Sequence, residues 1–206
     1  GIKSYQVINQ KKFLLRWGDQ LAQHYENGEN VFLARDRAWG RKVALIVDHY
    51  IPQPDRDAGS RTMVAFIDSL LELGWLVKFW LDNLWYDEVY TQLLQKKGVE
   101  VLYGEKWYGG FERYLEECEG QIDAALISRP HIAAPYLRAI SKYDGIRTIY
   151  YGHDLHFRRL ARESLATKRA GAADECARME ELERSIWRDV DLVLYPSHEE
   201  ADDVAR

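Results

Sequence analysis

Residues 43–81 read VALIVDHYIPQPDRDAGSRTMVAFIDSLLELGWLVKFWL and predict one strand–helix–strand unit. The apolar run at 43–47 is typical of a buried parallel strand. From Gly59 to Gly74 the apolar residues recur at helical spacing, and Gly74 is placed to end that helix. A second apolar run at 76–81 predicts the next strand. Because a helix joins the two strands, we expect a right-handed crossover between parallel neighbours.

The same alternation continues along the rest of the chain. Further strands are predicted at residues 99–103, 122–127, 146–151 and 191–195. Helices are predicted at residues 86–97, 111–118, 132–143 and 157–187, the last broken near Gly171, with a final helix from Ser197. Strands that alternate with helices form a parallel sheet covered on both faces. We therefore predict an α/β domain over residues 42–206, a Rossmann-like, doubly wound, mainly parallel sheet of about six strands.

Residues 1–41 do not follow this rhythm. They carry one helical stripe of apolar side chains, formed by Phe13, Leu14, Trp17, Leu21 and Tyr25. Asn27-Gly28 is placed to end this helix, and the residues from 29 to 40 are mostly polar. We expect an amphipathic helix followed by a linker that leads into the first strand.

Composition narrows the functional classes. The chain has 206 residues, of which 47% are hydrophobic. Its net charge of −5 argues against nucleic acid as the main partner. It contains no apolar run of ~18 residues that could span a membrane and no apolar stretch at its start that could be a secretory signal. Cys118 and Cys176 lie too far apart for a zinc site and favour a reduced, cytoplasmic protein over a disulfide scaffold. The seven Trp and thirteen Tyr residues favour a ligand or partner surface.

Ligands of open parallel sheets bind beyond the carboxyl ends of the strands, so the loops at that edge are the candidate sites. The loop after the first strand ends in Asp57, Gly59, Ser60 and Arg61, at the start of a helix. The free N–H groups and dipole of a helix N-terminus favour a phosphate. The alternative is that Asp57 or Ser60 only caps the helix. The fingerprint Gly-x-Gly-x-x-Gly is absent from this loop, which disfavours NAD and FAD.

Aromatic side chains follow the second and third predicted strands. Trp85 and Trp107 could each stack on the apolar face of a sugar ring whose hydroxyls are bound at the rim. The alternative for these residues is core packing, which we expect for Trp80.

Histidines follow the fourth and fifth predicted strands. His131 begins a helix, where a structural role is the simpler interpretation. The segment after the fifth strand gathers His153, Asp154, His156 and Arg158. The two histidines and Asp154 could suggest a metal, but three loosely spaced ligands without a second cluster do not support one. The group better suits hydroxyls and phosphates, with histidine as donor or acceptor and arginine as a clamp.

These segments resemble a known family. Residues 43–206 look like the N-terminal Rossmann-like domain of retaining glycosyltransferases of the GT-B fold, the family-4 type common in O-antigen and capsule synthesis. The resemblance is carried by VDHYIPQPDRDAGSR (47–61), LLELGWLVKFW (70–80), YYGHDLHFRRLARE (150–163) and DVDLVLYPSHEEAD (189–202). Separately, residues 9–25 resemble the closing helix of inverting family-2 glycosyltransferase domains. The chain is therefore expected to be a segment of a longer, multi-domain glycosyltransferase.

The resemblance implies transfer of a sugar from a nucleotide diphosphate with retention of configuration, without a metal or other cofactor. Gly59, Ser60 and Arg61 would approach the donor phosphates, and His153 would hydrogen-bond the transferred sugar. The residues assigned to the acceptor, a glycan or lipid-linked glycan, are Asp57, Trp85, Trp107, His131, Asp154, His156 and Arg158. The family's Glu-x7-Glu motif belongs to a second, C-terminal Rossmann-like domain. Glu175 and Glu183 share that spacing but lie in a charged helix without the neighbouring glycines, so we interpret the match as coincidence.

On this interpretation the chain forms the acceptor-side half of a cleft and is inactive without a donor domain. We expect it in the cytoplasm or at the inner face of the membrane. One alternative is a non-catalytic Rossmann-like module that binds a glycan or a partner. Another is a phospho-acceptor receiver domain, since Asp48 ends the first strand, but the expected paired acids before it and a clear lysine after the fifth strand are missing.

Overall fold

The computed structural model describes residues 3–29, 31–36, 38–118, 120–167 and 171–205. The chain divides into two compact units, residues 1–42 and residues 43–206. The first unit contains α1 (Ser4–Leu21) and α2 (Val31–Arg35). The predicted amphipathic helix therefore exists but ends before Tyr25, whose ring instead packs edge-on against Trp39 at 5.0 Å. The stretch predicted to be a linker includes the short helix α2, because Val31 and Leu33 supply apolar residues there.

The second unit is built on a parallel sheet. Its strands are β1 (Val43–Asp48), β2 (Leu76–Leu81), β3 (Glu100–Leu102), β4 (Ala124–Ser128), β5 (Arg147–Tyr151) and β6 (Leu192–Leu194). Every pair of neighbouring strands is parallel, in the order β3-β2-β1-β4-β5-β6. This confirms the predicted Rossmann-like α/β sheet. The order reverses between β1 and β4, and the carboxyl ends of these two strands flank the crevice in which such folds bind ligands.

Helices connect the strands of this unit. They are α3 (Ala58–Glu72), α4 (Glu88–Lys96), α5 (Phe111–Glu117), α6 (Pro130–Ile140), α7 (His156–Thr167), α8 (Ala172–Asp189) and α9 (His198–Val204), with one 3-10 turn at Glu105–Trp107. The predicted break near Gly171 is present, since Gly171 precedes α8 with a φ of 79° that glycine adopts without strain. The other bounds differ from the predicted ones by a few residues, as is usual at frayed ends.

Apolar side chains cover both faces of the sheet. On one face, Trp80 of β2 and Ile127 of β4 belong to a core layer with side chains of three helices, namely Leu115 of α5, Ile140 of α6 and Ile186 of α8. The other packs side chains of β1, β2 and β3 against Met63 and Ile67 of α3. Trp80 is 2% exposed, which confirms its predicted place in the core. Within the described residues, no helix is long and apolar enough to cross a membrane.

Candidate functional site

The candidate site is a cleft at the carboxyl ends of β1, β4 and β5, which we call the histidine cleft. Its volume is about 580 Å³, within the range of small-molecule sites. The residues that line it include Tyr50, Asp57, Gly59, Arg129, His153, Asp154 and His156. The sheet topology thus brings together side chains from three loops that are far apart in the sequence.

An ion pair joins the two strands at the reversal point. Arg129 donates from Nε to Oδ1 of Asp48 at 2.8 Å, and Asp48 also accepts the backbone N–H of His49 at 2.7 Å. Arg129 takes a φ of 67°, and its guanidinium lies 5.2 Å from the ring centre of Tyr50. Burial alone would lower the pKa of Arg129, but the charge and hydrogen bond of Asp48 raise it. Arg129 therefore stays cationic on the wall of the cleft.

The start of α3 is capped by an acid. Asp57 accepts the N–H and the hydroxyl of Ser60, each at 2.7 Å, and the hydroxyl of Tyr50 at 3.2 Å. Burial opposes ionisation of Asp57, but these hydrogen bonds hold its pKa below the usual range. Of the three residues predicted to bind phosphate, Gly59 lines the cleft, Ser60 is buried and already donates to Asp57, and Arg61 is exposed. Asp57 is thus the N-cap of α3, and phosphate binding at this helix start stays a prediction.

Two glycines make close contacts at and beside His153. Gly59 packs against its imidazole, and the neighbouring Gly152 packs against the ring of Tyr195. The Nε2 atom of His153 is buried and has no hydrogen-bond partner among the described residues. Burial lowers the pKa of His153, and the attraction of Asp48 does not offset this effect. The imidazole is therefore neutral at pH 7. It lines the cleft, although its Nε2 atom itself is buried.

A buried acid holds the segment that carries His153. Glu183 of α8, which is fully buried, accepts the backbone N–H groups of His156 and Phe157 at 3.2 and 3.0 Å. It also accepts the hydroxyl of Tyr195 at 3.3 Å. Glu183 thus accepts hydrogen bonds from the first N–H groups of α7, which have no partner within that helix. In the sequence, its position on the apolar face of a charged helix was a usable signal of burial.

The other predicted site residues are distributed over several places. Asp154 and His156 line the histidine cleft, where Nδ1 of His156 lies 3.1 Å from Oδ1 of Asp154. His131 stands at the start of α6, and its pKa is lowered by burial and by the nearby charges of His156 and His49. Arg158 lines a separate polar cavity of about 240 Å³ and pairs with Asp203.

The two predicted tryptophans lie outside the histidine cleft. Trp85 is 71% exposed and is not among the lining residues of that cleft. Trp107 is 8% exposed and packs edge-on against Trp80 at 5.6 Å, so it is largely a core residue. One edge of Trp107 lines a second cavity of about 490 Å³ at the ends of β2 and β3, which we call the aromatic cleft.

Sequence reasoning did not select the Asp48–Arg129 pair as part of a site, although both residues stand at strand ends, which was the available signal. Among the described residues, no group of three or more His, Cys, Asp or Glu side chains could hold a metal ion. The chain matches no protein-family model, and no curated protein shows significant similarity to it.

Proposed function

We propose that residues 43–206 form the acceptor-side domain of a retaining, GT-B-type glycosyltransferase. The observation that carries the proposal is the place of His153. A neutral imidazole, whose buried Nε2 has no partner among the described residues, lines a cleft at the reversal point of a Rossmann-like sheet. The resemblance of the surrounding segments to that family supports the assignment, since sites of this fold lie at this edge.

In this function His153 hydrogen-bonds the sugar that is transferred. A neutral imidazole can donate from one ring nitrogen and accept at the other, so it suits a sugar hydroxyl without adding charge. Gly59, at the start of α3, accommodates the imidazole of His153, and the dipole of this helix favours the leaving diphosphate. Arg129 adds a fixed positive charge on the same wall. The nucleotide itself would be held by a second Rossmann-like domain.

A non-catalytic glycan-binding module is the second candidate, and Asp57 is the observation that favours it. Its carboxylate already occupies the N-terminus of α3, where a donor phosphate would have to bind. An anion close to this acid would meet like-charge repulsion. The two candidates therefore differ in whether a nucleotide diphosphate is released.

The deciding experiment measures release of nucleoside diphosphate from a panel of nucleotide-sugars with neutral glycan acceptors. It uses the chain joined to a donor-binding domain, in parallel with the 206-residue chain alone. Acceptor-dependent release by the joined protein, lost in His153→Ala, supports the transferase. The control His198→Ala removes an exposed histidine at the start of α9 and should keep the release. Glycan binding without any release in the joined protein would support the binding module.

A further inference from the structure

The aromatic cleft has a rigid apolar floor. Trp80 at its base is contacted edge-on by Phe111 at 4.9 Å and by Trp107 at 5.6 Å. Tyr108, which also lines the cleft, is 78% exposed and packs into no core. The cleft therefore combines a fixed floor with one aromatic ring that is free to contact a ligand.

A defined polar group stands in the same cleft. Asp82 accepts the hydroxyl of Tyr136 at 3.0 Å, and its other oxygen lies 3.1 Å from Nδ1 of His49. Tyr136 in turn accepts the indole N–H of Trp80 at 3.1 Å. Burial raises the pKa of Tyr136, so its hydroxyl keeps its proton and its orientation towards Asp82. A carboxylate has about four acceptor positions, so Asp82 can still accept from a ligand.

The charges of the cleft restrict the class of ligand. Asp82 and Glu112 are its acidic residues, and no lysine or arginine is among the described residues that line it, so an anionic ligand is disfavoured. Glu112 pairs with Lys142 at 2.8 Å, which leaves Asp82, oriented by Tyr136 and His49, as the acidic acceptor for a ligand. A neutral ring with an apolar face and hydroxyl groups meets both the aromatic and the acceptor groups.

The two clefts share the end of β1. Asp82 donates its backbone N–H to the carbonyl of Asp48. His49 contacts both acids, since it donates its backbone N–H to Asp48 and its Nδ1 lies 3.1 Å from Asp82. Strands lie about 4.8 Å apart, so the three strand intervals from β2 to β5 span about 14 Å. An elongated ligand with several rings can follow this edge from one cleft to the other.

We infer that the aromatic cleft, through Tyr108, Asp82 and Tyr136, is a subsite for a neutral sugar ring. Resting on the proposed function, this ring is a unit of the acceptor remote from the one that reacts in the histidine cleft. The acceptor is then a glycan of several neutral sugars, not a single sugar or a charged one.

The test is saturation-transfer NMR and titration of the 206-residue chain with maltotriose, cellobiose, lactose and mannobiose, with glucosamine and glucuronate as charged probes. At about 10 mM, any site of millimolar affinity is occupied. Tyr108→Ala should raise the dissociation constant of a bound neutral sugar about two- to tenfold, the factor expected for one aromatic stacking contact. Asp82→Asn should weaken binding as well. Tyr5→Ala, which removes an exposed tyrosine of α1 in the first unit, is the matched control and should leave binding unchanged.

The inference is overturned if none of the neutral sugars binds, if a charged probe binds more tightly, or if Tyr108→Ala binds like the parent chain. The transfer assay separates this result from the proposed function. Sugar binding that depends on Tyr108 in a protein without transfer supports the subsite and contradicts the enzyme. Transfer to a neutral oligosaccharide whose KM is unaffected by Tyr108→Ala supports the enzyme and overturns the subsite.

Discussion

Gly59 and His153 are in direct contact across the histidine cleft: a Cβ atom at Gly59 would stand 2.9 Å from Nδ1 and 3.0 Å from Cε1 of the imidazole. Only a residue without a side chain fits there while His153 keeps its position. The first turn of α3 therefore packs closely against the loop after β5. The position of the His153 imidazole depends on a glycine that lies 94 positions earlier in the chain.

Gly59→Ala should therefore displace the imidazole of His153 rather than unfold the domain. The contact involves a side chain that can rotate, and alanine is favoured over glycine in a helix by up to ~1 kcal/mol. We expect little change in melting temperature and a clear change in the imidazole NMR signals of His153. Gly18→Ala, at a helical glycine of α1 with no neighbour within 4 Å, is the control and should leave those signals unchanged. Unaltered His153 signals in Gly59→Ala would contradict the contact.

Gly152→Ala should destabilise the domain. The added Cβ would overlap the ring of Tyr195, whose hydroxyl donates to Glu183 and accepts the indole N–H of Trp187. The ring cannot move without breaking that network, so we expect a loss of ~1–3 kcal/mol, typical of overpacking. Urea unfolding measures it. Combining the change with Tyr195→Leu should recover part of the loss, whereas fully additive losses would argue against this contact.

Removing Arg129 should cost more than removing the whole ion pair. Arg129→Met leaves the nearly buried carboxylate of Asp48 without its cation, which we expect to cost ~3 kcal/mol, the lower end for a buried pair because Arg129 is 23% exposed. The double variant Asp48→Asn, Arg129→Met should be more stable than Arg129→Met alone. A thermodynamic cycle from urea unfolding gives the coupling energy, and a value near zero would show that the pair does not stabilise the fold.

The sequence predicted the sheet well because each strand is a short apolar run and each connection has helical spacing, both of which are local signals. It also identified the loops at the carboxyl ends of the strands, where both clefts lie. It did not predict which loops meet, because the strand order places the loop after β3 four intervals from the loop after β5. Trp107 was therefore assigned to the same acceptor site as Asp154 and His156, yet it lines a different cleft.

The contacts that define the histidine cleft were beyond local pattern reasoning. The Asp48–Arg129 pair joins residues 81 positions apart. The apolar face of α8 indicates that Glu183 is buried, but only the packing of α8 against α7 shows which N–H groups it accepts. By contrast, the cap at Asp57 was predictable, because an acid before a helical run is a common N-cap.

Stability should fall as the pH drops below about 6.5, in part because of His153. Burial lowers the pKa of His153 below its ordinary value of 6.5, so the unfolded chain binds a proton that the folded domain resists. The free energy of unfolding therefore decreases as the pH falls from 6.5 towards the folded-state pKa, and is unaffected by this group above 6.5. His131 acts in the same direction. His153→Gln should reduce the slope of stability between pH 5 and 6.5, measured by urea unfolding at several pH values. An unchanged slope would contradict burial of the neutral form.

His153→Ala provides the sharpest separation of a catalytic from a packing role. If His153 hydrogen-bonds the transferred sugar in the transition state, turnover by the chain joined to a donor-binding domain should fall ~10²–10³-fold, the cost of one preorganised donor. The fold should persist, since the histidine lies at the cleft wall and its Nε2 has no partner among the described residues whose loss would cost stability. We therefore expect a small change in melting temperature together with a large change in turnover. A packing histidine would give the reverse, a lower melting temperature with normal turnover per folded molecule. Because both quantities are measured on one variant, with His198→Ala as the matched control, a fall in turnover cannot be mistaken for loss of folded protein.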